Sequence, residues 1–181
     1  DYDQWRDRGL KGWGFADLLP YFRRAQAASN RSDAWHGTSG PLITEPAANF
    51  GTLDKAFVNA AIAAGHKLLD DFNGPERTGV GRADSTVSKG IRQSSAIAYL
   101  DKPPKNLTIL TERHIHRVLF EGRKAIGIRS LSGDTLRARR EVILCQGAFG
   151  TPQTLMLSGI GPADHLSKLG VPVQVDLPGV G

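Results

Sequence analysis

The chain has 181 residues, of which 40% are hydrophobic and 23% charged, and its formal net charge is +5. This composition is that of an ordinary globular protein with one sizeable core, and it argues against a disordered chain. Because the basic residues are scattered, we expect a solvated surface and no nucleic-acid partner. No apolar stretch approaches the ~20 residues that a membrane-spanning helix needs, so we predict no transmembrane segment.

The single cysteine, Cys145, follows an apolar run and cannot form an internal disulfide. Its neighbours predict a buried, inert thiol, and a chain without disulfides fits a reducing compartment, so we expect a cytoplasmic protein. The chain begins with Asp1 rather than Met and stops at Gly181 after a turn signal. Both ends therefore suggest an internal piece of a longer protein.

In the first half of the chain, helical spacing of apolar residues alternates with glycine-rich and proline-rich loops. Thr52 is the expected N-cap of the clearest helix, whose apolar face should pack into the core. The predicted elements are a helix over Trp13–Ala28, an extended edge strand over Pro41–Pro46, a helix over Thr52–Ala64 with Leu53, Ala56, Phe57, Ala60 and Ala63 on its buried face, an irregular stretch with one or two short strands over Leu68–Gly90, and a short helix over Ser94–Leu100.

The second half changes to strand-like runs separated by turns, of which Ser132–Asp134 carries a hairpin signal. These runs predict a small antiparallel meander that leads into a final buried strand. They cover Leu107–Thr111, Ile115–Phe120, Ala125–Leu131 and Leu136–Cys145, and they are followed by a helix through Met156, a helix over Pro162–Leu169 and an extended segment over Val171–Val175.

The most informative segment is GAFGTPQTLMLSGIG, Gly147 to Gly161, directly after the predicted buried strand. Small residues at such a turn bring backbone N–H groups close to a ligand, commonly a phosphate or a ribose. Taken alone, the same turn serves close packing equally well.

Together with DLPGVG at Asp176–Gly181, GWGFADLLPYF at Gly12–Phe22 and DFNG at Asp71–Gly74, this segment resembles the glucose–methanol–choline family of FAD-dependent oxidoreductases. The pattern is most similar to the choline-dehydrogenase-like members. The resemblance implies an α/β fold: a partial FAD-binding domain, with a parallel sheet and an antiparallel meander, and part of a substrate domain. Residues 1–106 would then be a helical and loop region bordering the flavin and the substrate domain, and residues 107–181 part of the FAD-binding domain.

The resemblance also implies FAD as the cofactor and assigns contacts with it to Ile115, Gly147 and Ala148. Ile115 matches a position that contacts the adenine through its backbone, although it also fits an ordinary core strand residue. Gly147 and Ala148 match small residues beside the ribose and pyrophosphate, where a larger side chain would hold the backbone away.

Two further segments match parts of the family that lie near the flavin. Asp71–Gly74, with Gly79–Gly81, matches a loop over the flavin, and Arg92–Leu100 matches the helix that follows it. A glycine loop beside a short helix is equally compatible with a purely structural role.

The family's GxGxxG pyrophosphate turn, and its later histidine paired with a second His or Asn, have no counterpart in this sequence. The five histidines fit surface or packing positions, and none shows the pairing with a carboxylate or nucleophile that a catalytic base needs. We therefore predict no catalytic residue and no metal site within this chain. The histidines are His36, His66, His114, His116 and His165.

The sequence departs from the family pattern at three places: Thr154 replaces an aliphatic residue, Cys145–Gln146 replace small residues, and Arg82–Asp84 replace a more aromatic strand. The last change argues against choline as substrate, because aromatic rings are the usual partners of a quaternary ammonium. Trp13, Trp35 and Tyr99 would have to supply those rings.

Two hypotheses of function follow. The first is part of an FAD-dependent oxidoreductase that acts on the CH–OH group of a small-molecule alcohol, with hydride transfer to flavin N5. The second is an inactive fragment or structural remnant of such a flavoprotein, or a non-redox lyase of the same fold. In either case we expect this chain alone to be inactive. The alcohol, the electron acceptor and the oligomeric state are not encoded in these motifs.

Overall fold

A computed structural model describes residues 1–29, 31 and 34–181, and these form two compact units, Asp1–Leu107 and Thr108–Gly181. The described elements of the first unit are α1 (Tyr2–Asp7), α2 (Phe15–Ala25), β1 (Gln26–Ala28), β2 (Leu42–Pro46), α3 (Thr52–Ala63), β3 (Asp84–Ser85), β4 (Val87–Ser88), β5 (Ile91–Arg92) and α4 (Ser95–Leu100). Those of the second unit are β6 (Ile115–Glu121), β7 (Lys124–Ser130), β8 (Thr135–Arg137), α5 (Gly147–Leu157), β9 (Ile160–Gly161), α6 (Ala163–Lys168) and β10 (Val175–Asp176).

The first unit is organised around a small mixed sheet in the order β1-β2-β3. Strands β1 and β2 are parallel, with Gln26 opposite Leu42, and β3 pairs antiparallel with β2. The prediction that the first helix extends to Ala28 is therefore wrong: residues 26–28 leave the helix and become the sheet's first strand. Backbone pairing with β2, and a hydrogen bond from Gln26 Nε2 to Thr44 Oγ1 (2.9 Å), outweigh the local helical spacing.

Helix α3 matches the predicted helix in length, but its start and its buried face differ. Its N-cap is Gly51, whose N–H donates to the Asp54 carboxylate at 2.8 Å, rather than Thr52. Leu53 and Phe57 are 86% and 69% exposed, whereas Val58 is buried. The predicted core face is wrong, because the sequence gives the helical period but not the surface on which the helix packs.

Local signals set the short helix α4. The Ser94 hydroxyl accepts a hydrogen bond from the N–H of Ile97 at 3.3 Å, as expected of an N-cap. The irregular stretch before α4 contains the predicted short strands and a parallel bridge between Leu68 and Val80. This bridge holds the two glycine-containing segments of the stretch side by side.

The second unit contains the predicted antiparallel meander in the order β6-β7-β8. Val118 on β6 pairs with Ile128 on β7, and Ile128 pairs with Leu136 on β8. Helix α5 packs on β6 through Ser158, whose hydroxyl donates to the carbonyl of Thr154 at 2.5 Å and accepts from the N–H of Val118 at 2.8 Å. Thr154 and Ser158 are both buried, so the departure at Thr154 is accommodated within this contact.

Two predicted strands are absent from the described part of the chain. Residues 107–111 form no strand, and the run predicted over Leu136–Cys145 pairs only as far as Arg137. Ile143 is 74% exposed and Cys145 is also exposed, so the prediction of a buried thiol is wrong. A strand of a parallel sheet is buried by neighbouring strands and helices. Ala138 still donates its N–H to the carbonyl of Ile126 on β7 at 2.9 Å, but residues 139–146 pair with no strand in the described chain.

Helix α6 lies within the predicted helix over Pro162–Leu169 and begins after Pro162, which serves as its N-cap. The extended segment predicted over Val171–Val175 forms a strand only from Val175, where β10 pairs in parallel with β9, a strand that the sequence did not predict. The α/β class with parallel and antiparallel pairing is therefore confirmed. Within the described residues, no helix is long and apolar enough to span a membrane.

Ser158→Ala should destabilise the second unit by about 1–3 kcal/mol, because the buried N–H of Val118 would lose its acceptor. Ser167→Ala, on the exposed side of α6, is the matched control and should leave stability unchanged. Denaturant unfolding of the two variants measures the difference. Equal midpoints for both would show that the Ser158 bridge does not stabilise the packing of α5 on β6.

Candidate functional site

Ile115 is the first residue of β6 and lies at the edge of the meander, paired with Ser130 on β7. It is half-buried and borders a cavity of about 260 Å³. An ion pair between Arg113 and Asp134 closes one side of this cavity. The lining residues are Leu110, Arg113, Ile115, Ile128, Ser130, Asp134, Thr135 and Leu136.

Gly147 and Ala148 lie at the start of α5, both exposed to solvent. Gly147 has φ +77°, in the left-handed region that strongly favours glycine, and a Cβ there would meet no atom within 4 Å. Backbone conformation rather than crowding therefore requires glycine at this turn. The open backbone at a helix start fits a phosphate-bearing or ribose-bearing cofactor.

The structure places all three predicted cofactor residues in the second unit, where α5 packs against β6. It does not bring them into one cavity, since neither Gly147 nor Ala148 lines the space beside Ile115. Their contacts with FAD therefore stay a prediction.

In the first unit, the structure reveals a pairing that the sequence did not. His36 is 3% exposed, and its Nε2 lies 2.9 Å from Asp71 Oδ2 while its Nδ1 lies 3.0 Å from Gln26 Oε1. The interpretation that no histidine pairs with a carboxylate is wrong for His36. Gln26 lies 10 positions before His36 in the sequence, and Asp71 lies 35 positions after it, so no local motif indicates these contacts.

Asp71 belongs to the DFNG segment and is held in its ionised form. Partial burial raises the pKa of Asp71. The N–H of Asn73 at 2.8 Å, the His36 ring and the charge of Arg31 together lower this pKa by more than burial raises it. The net result is a pKa below the usual value of an aspartate. At neutral pH Asp71 is therefore a carboxylate that accepts hydrogen bonds at both oxygens.

An aromatic cavity of about 380 Å³ lies beside His36. Trp35 and Phe15 stack there with ring centres 6.1 Å apart. Of the three aromatic residues considered for cation–π contact, only Trp35 lines this cavity; Trp13 contacts Trp5 instead. The lining residues are Tyr2, Phe15, Leu19, Phe22, Ala25, Gln26, Trp35, His36, Leu42, Thr44, Asn73 and Arg77.

The charged residues at 82–84 serve contacts within the unit. Asp84 accepts two hydrogen bonds from Arg31, at 3.0 and 2.7 Å, and the side chains of this pair are 10% and 12% exposed. The hydrogen bond to Asp84 raises the pKa of Arg31 above its usual value. Arg82 donates to the carbonyl of Ala47 at 2.7 Å. The Asp84 carboxylate is thus already neutralised by a partner of its own chain.

The other histidines have no comparable partner. His66, His114 and His165 are exposed, and His116 is half-buried on β6. Across residues 1–29, 31 and 34–181, no group of three or more His, Cys, Asp or Glu side chains is placed to hold a metal ion.

A family model described as GMC oxidoreductase matches residues 1–181. The chain belongs to the GMC oxidoreductase family. The resemblance stated from the four sequence segments is thereby confirmed, and its motifs extend over the whole chain.

Curated relatives of this GMC chain include the oxygen-dependent choline dehydrogenase of Pseudomonas syringae pv. tomato, which is 45% identical over 191 aligned residues. The alignment covers 100% of this chain and 34% of that protein. The chain thus spans about a third of the length of the curated relatives that it matches.

Solved structures with the same fold include pyridoxine 4-oxidase from Mesorbium loti, with a TM-score of 0.86 and 33% identity over 98% of this chain and 36% of that one. An FAD-dependent oxidoreductase from Chaetomium thermophilum has a TM-score of 0.89 and 30% identity over 99% of this chain and 34% of that one. Family and structural neighbours together indicate FAD as the cofactor, as predicted.

The lowered pKa of Asp71 has a consequence for stability at acid pH. Its stabilising contribution should be fully present above about pH 4, the usual carboxyl pKa, and should disappear as the pH falls through the lower folded value. Asp71→Asn should therefore be less stable than the parent chain at neutral pH and should approach it below about pH 3. Denaturant unfolding over a pH series checks this.

Asp101→Asn is the control, because Asp101 is exposed at the end of α4 and outside this cluster. At neutral pH this variant should be as stable as the parent chain. A difference for Asp71→Asn that stays constant down to the lowest pH would refute the assignment of Asp71 as a stabilising carboxylate.

Proposed function

We propose that this chain is part of an FAD-dependent oxidoreductase that oxidises the CH–OH group of a small-molecule alcohol. The observation that carries the proposal is the family match over residues 1–181, joined by relatives named oxygen-dependent choline dehydrogenase at 45% identity over the full chain. When bound, FAD supplies the redox chemistry by accepting a hydride at N5.

The residues that would hold the cofactor in this chain are Ile115, Gly147 and Ala148. The backbone of Ile115 would contact the adenine at the start of β6, where its side chain borders a cavity of about 260 Å³. Gly147 and Ala148 would present unhindered backbone to the ribose and pyrophosphate. The open space around Gly147 and its position at a helix start support this role.

In the division predicted from the sequence, residues 1–106 would border the flavin and the substrate. Residues 107–181 would belong to the FAD-binding domain. Asp71–Gly74 would lie over the flavin. The shape of this loop is set by the Asp71 carboxylate, which binds Asn73 within the loop and His36 outside it. A loop fixed in this way can exclude water and orient a ligand without moving on each turnover.

The substrate we favour is an alcohol other than choline. A quaternary ammonium needs aromatic faces or an unpaired carboxylate. Arg82–Asp84, which replace a more aromatic strand of the family, supply neither, because Asp84 is bound by Arg31. The chain spans 34% of its curated relative, so residues of the full-length protein outside this chain also contribute to the selection of the substrate. A cytoplasmic location, inferred from the absence of disulfides, belongs to the same proposal.

A second candidate is that the 181-residue chain by itself is an inactive remnant of the flavoprotein. The exposure of Ile143 at 74% and of Phe149 at 91% favours it, because both residues flank the turn that should approach the cofactor. Apolar side chains at such a position are usually covered by neighbouring strands and helices.

Absorbance separates these candidates. The full-length protein should purify with the yellow absorbance of oxidised flavin, which should bleach without oxygen when the right alcohol is added. The 181-residue chain alone should be colourless. Bleaching in the isolated chain would refute the remnant hypothesis, and a full-length protein that contains no flavin would refute the proposed oxidoreductase. Bound flavin that no alcohol bleaches would favour the lyase.

Gly147→Ala tests the placement of the cofactor. Backbone strain costs about 1–2 kcal/mol for a non-glycine residue at positive φ. The substitution should weaken FAD binding about tenfold or more beyond the effect of this strain. Gly133→Ala is the matched control, since Gly133 has φ +95°, also meets no atom within 4 Å and lies in the hairpin between β7 and β8. Titration of the apoproteins with FAD measures both affinities. Equal affinities would remove Gly147 from the cofactor site.

A further inference from the structure

Three side chains from distant parts of the first unit meet around one buried ring. We call Gln26, His36 and Asp71 the His36 clasp. His36 Nδ1 lies 3.0 Å from Gln26 Oε1 and its Nε2 lies 2.9 Å from Asp71 Oδ2, while the residue itself is 3% exposed. The clasp therefore joins strand β1, the loop between β1 and β2, and the DFNG segment.

The loop that carries His36 is packed too closely to move aside. A Cβ at Gly37 would collide with the carbonyl oxygen of Arg23 at the end of α2, so the backbone there is in direct contact with the helix. The carbonyl of Gly37 accepts from the N–H of Ala28, and Gly40 donates to the carbonyl of Gln26, each at 2.8 Å. These bonds hold the imidazole in place on the sheet side.

The hydrogen-bond partners of the His36 imidazole determine how many of its ring nitrogens carry a proton. Asp71 is an ionised carboxylate and only accepts hydrogen bonds, so Nε2 must donate to it. Gln26 uses its amide nitrogen to donate to Thr44 Oγ1 at 2.9 Å and turns its carbonyl oxygen toward the ring. With the amide in this orientation, Nδ1 donates as well, and an imidazole that donates from both nitrogens carries a positive charge.

The same carboxylate shapes the loop it belongs to. Asp71 Oδ1 accepts from the N–H of Asn73 at 2.8 Å, while Oδ2 receives the proton of His36. Gly74 is buried against this carboxylate, because a Cβ at that position would lie only 2.8 Å from Oδ2. The protonated His36 thus influences the conformation of Asp71–Gly74 through its hydrogen bond to Asp71 Oδ2.

The charged surroundings agree with a cationic ring. Among the described residues, the charge of Arg31 acts on Asp71, and Arg31 is itself neutralised by Asp84, while the charge of Asp70 acts on Arg31. Arg77 lines the same cavity as His36 from the far side of the DFNG segment. Asp71 is the carboxylate in direct contact with His36, so its negative charge compensates that of the ring.

We infer that His36 is a positioning residue that, as a doubly protonated ring, fixes the Asp71–Gly74 loop on strand β1 and thereby sets the flavin-facing side of the active site. The inference rests on the proposed function only in placing this loop at the flavin. The geometry of the clasp itself belongs to the first unit alone.

The proton count is measured by NMR of the full-length protein with ¹⁵N only in its histidines, at pH 7. The resonances that disappear in His36→Gln belong to His36. Both ring nitrogens should give the signature of a protonated nitrogen. A neutral ring with one bare nitrogen would overturn the inference. Gln26→Leu removes the acceptor at Nδ1 and should leave the ring singly protonated, so the ring that loses one proton in this variant identifies His36 if His36→Gln does not fold.

The effect on the loop is measured by hydrogen–deuterium exchange of the peptide containing Asp71–Gly74. Exchange should rise in His36→Gln and stay at the parent level in His66→Gln, a matched control whose histidine is exposed after α3. Unchanged exchange in His36→Gln would contradict the clasp. Because this readout needs no flavin, it remains decisive even if the protein binds none.

The effect on catalysis is measured in the same variants. His36→Gln should lower kcat/KM on the order of 10- to 100-fold, through misplacement of a loop that orients the ligand. His66→Gln should match the parent. Equal kcat/KM in the two variants would reject the positioning role, whereas a parent protein without FAD would reject the proposed function instead.

Discussion

The buried hydrogen bond between His36 and Asp71 joins two distant parts of the first unit. One partner lies in the loop that connects the parallel strands β1 and β2, and the other lies in the DFNG segment, which we propose to lie over the flavin. A charged pair in such a place stabilises little by itself, because desolvation offsets most of the attraction. Its value lies in specificity: loss of either partner leaves the other buried and unsatisfied, so alternative arrangements of the loop are disfavoured.

In the second unit, Ser158 likewise joins two elements through buried hydrogen bonds. It fastens the carboxyl end of α5 to β6 through one buried hydroxyl. Because α5 is an 11-residue helix, its opposite end lies about 15 Å away along the axis, at the turn formed by Gly147. The orientation of the exposed turn is therefore set by packing at the far end of the helix. The turn can remain open to solvent because its support comes from the other end of the helix.

The sequence predicted the elements whose causes are local, such as the meander with its turn at Ser132–Asp134 and the helix capped by Ser94. It failed where the cause is a distant partner. The core face of α3, the strand through Cys145 and the pairing of His36 all depend on surfaces that are far apart in the chain. The cofactor was predicted from the combination of four motifs, whereas the arrangement of the residues that would hold it is a matter of packing and could not be derived from spacing.

The exposed cysteine gives the molecule a natural reporter. Cys145 is the only cysteine in the sequence, and it lies near the end of residues 139–146, which pair with no described strand, two positions before Gly147. Any element that packs over the thiol slows its alkylation, so the alkylation rate reports whether this segment is covered. One sulfur atom can thus distinguish, during refolding or cofactor loading, a chain in which this segment is covered from one in which it is open to solvent.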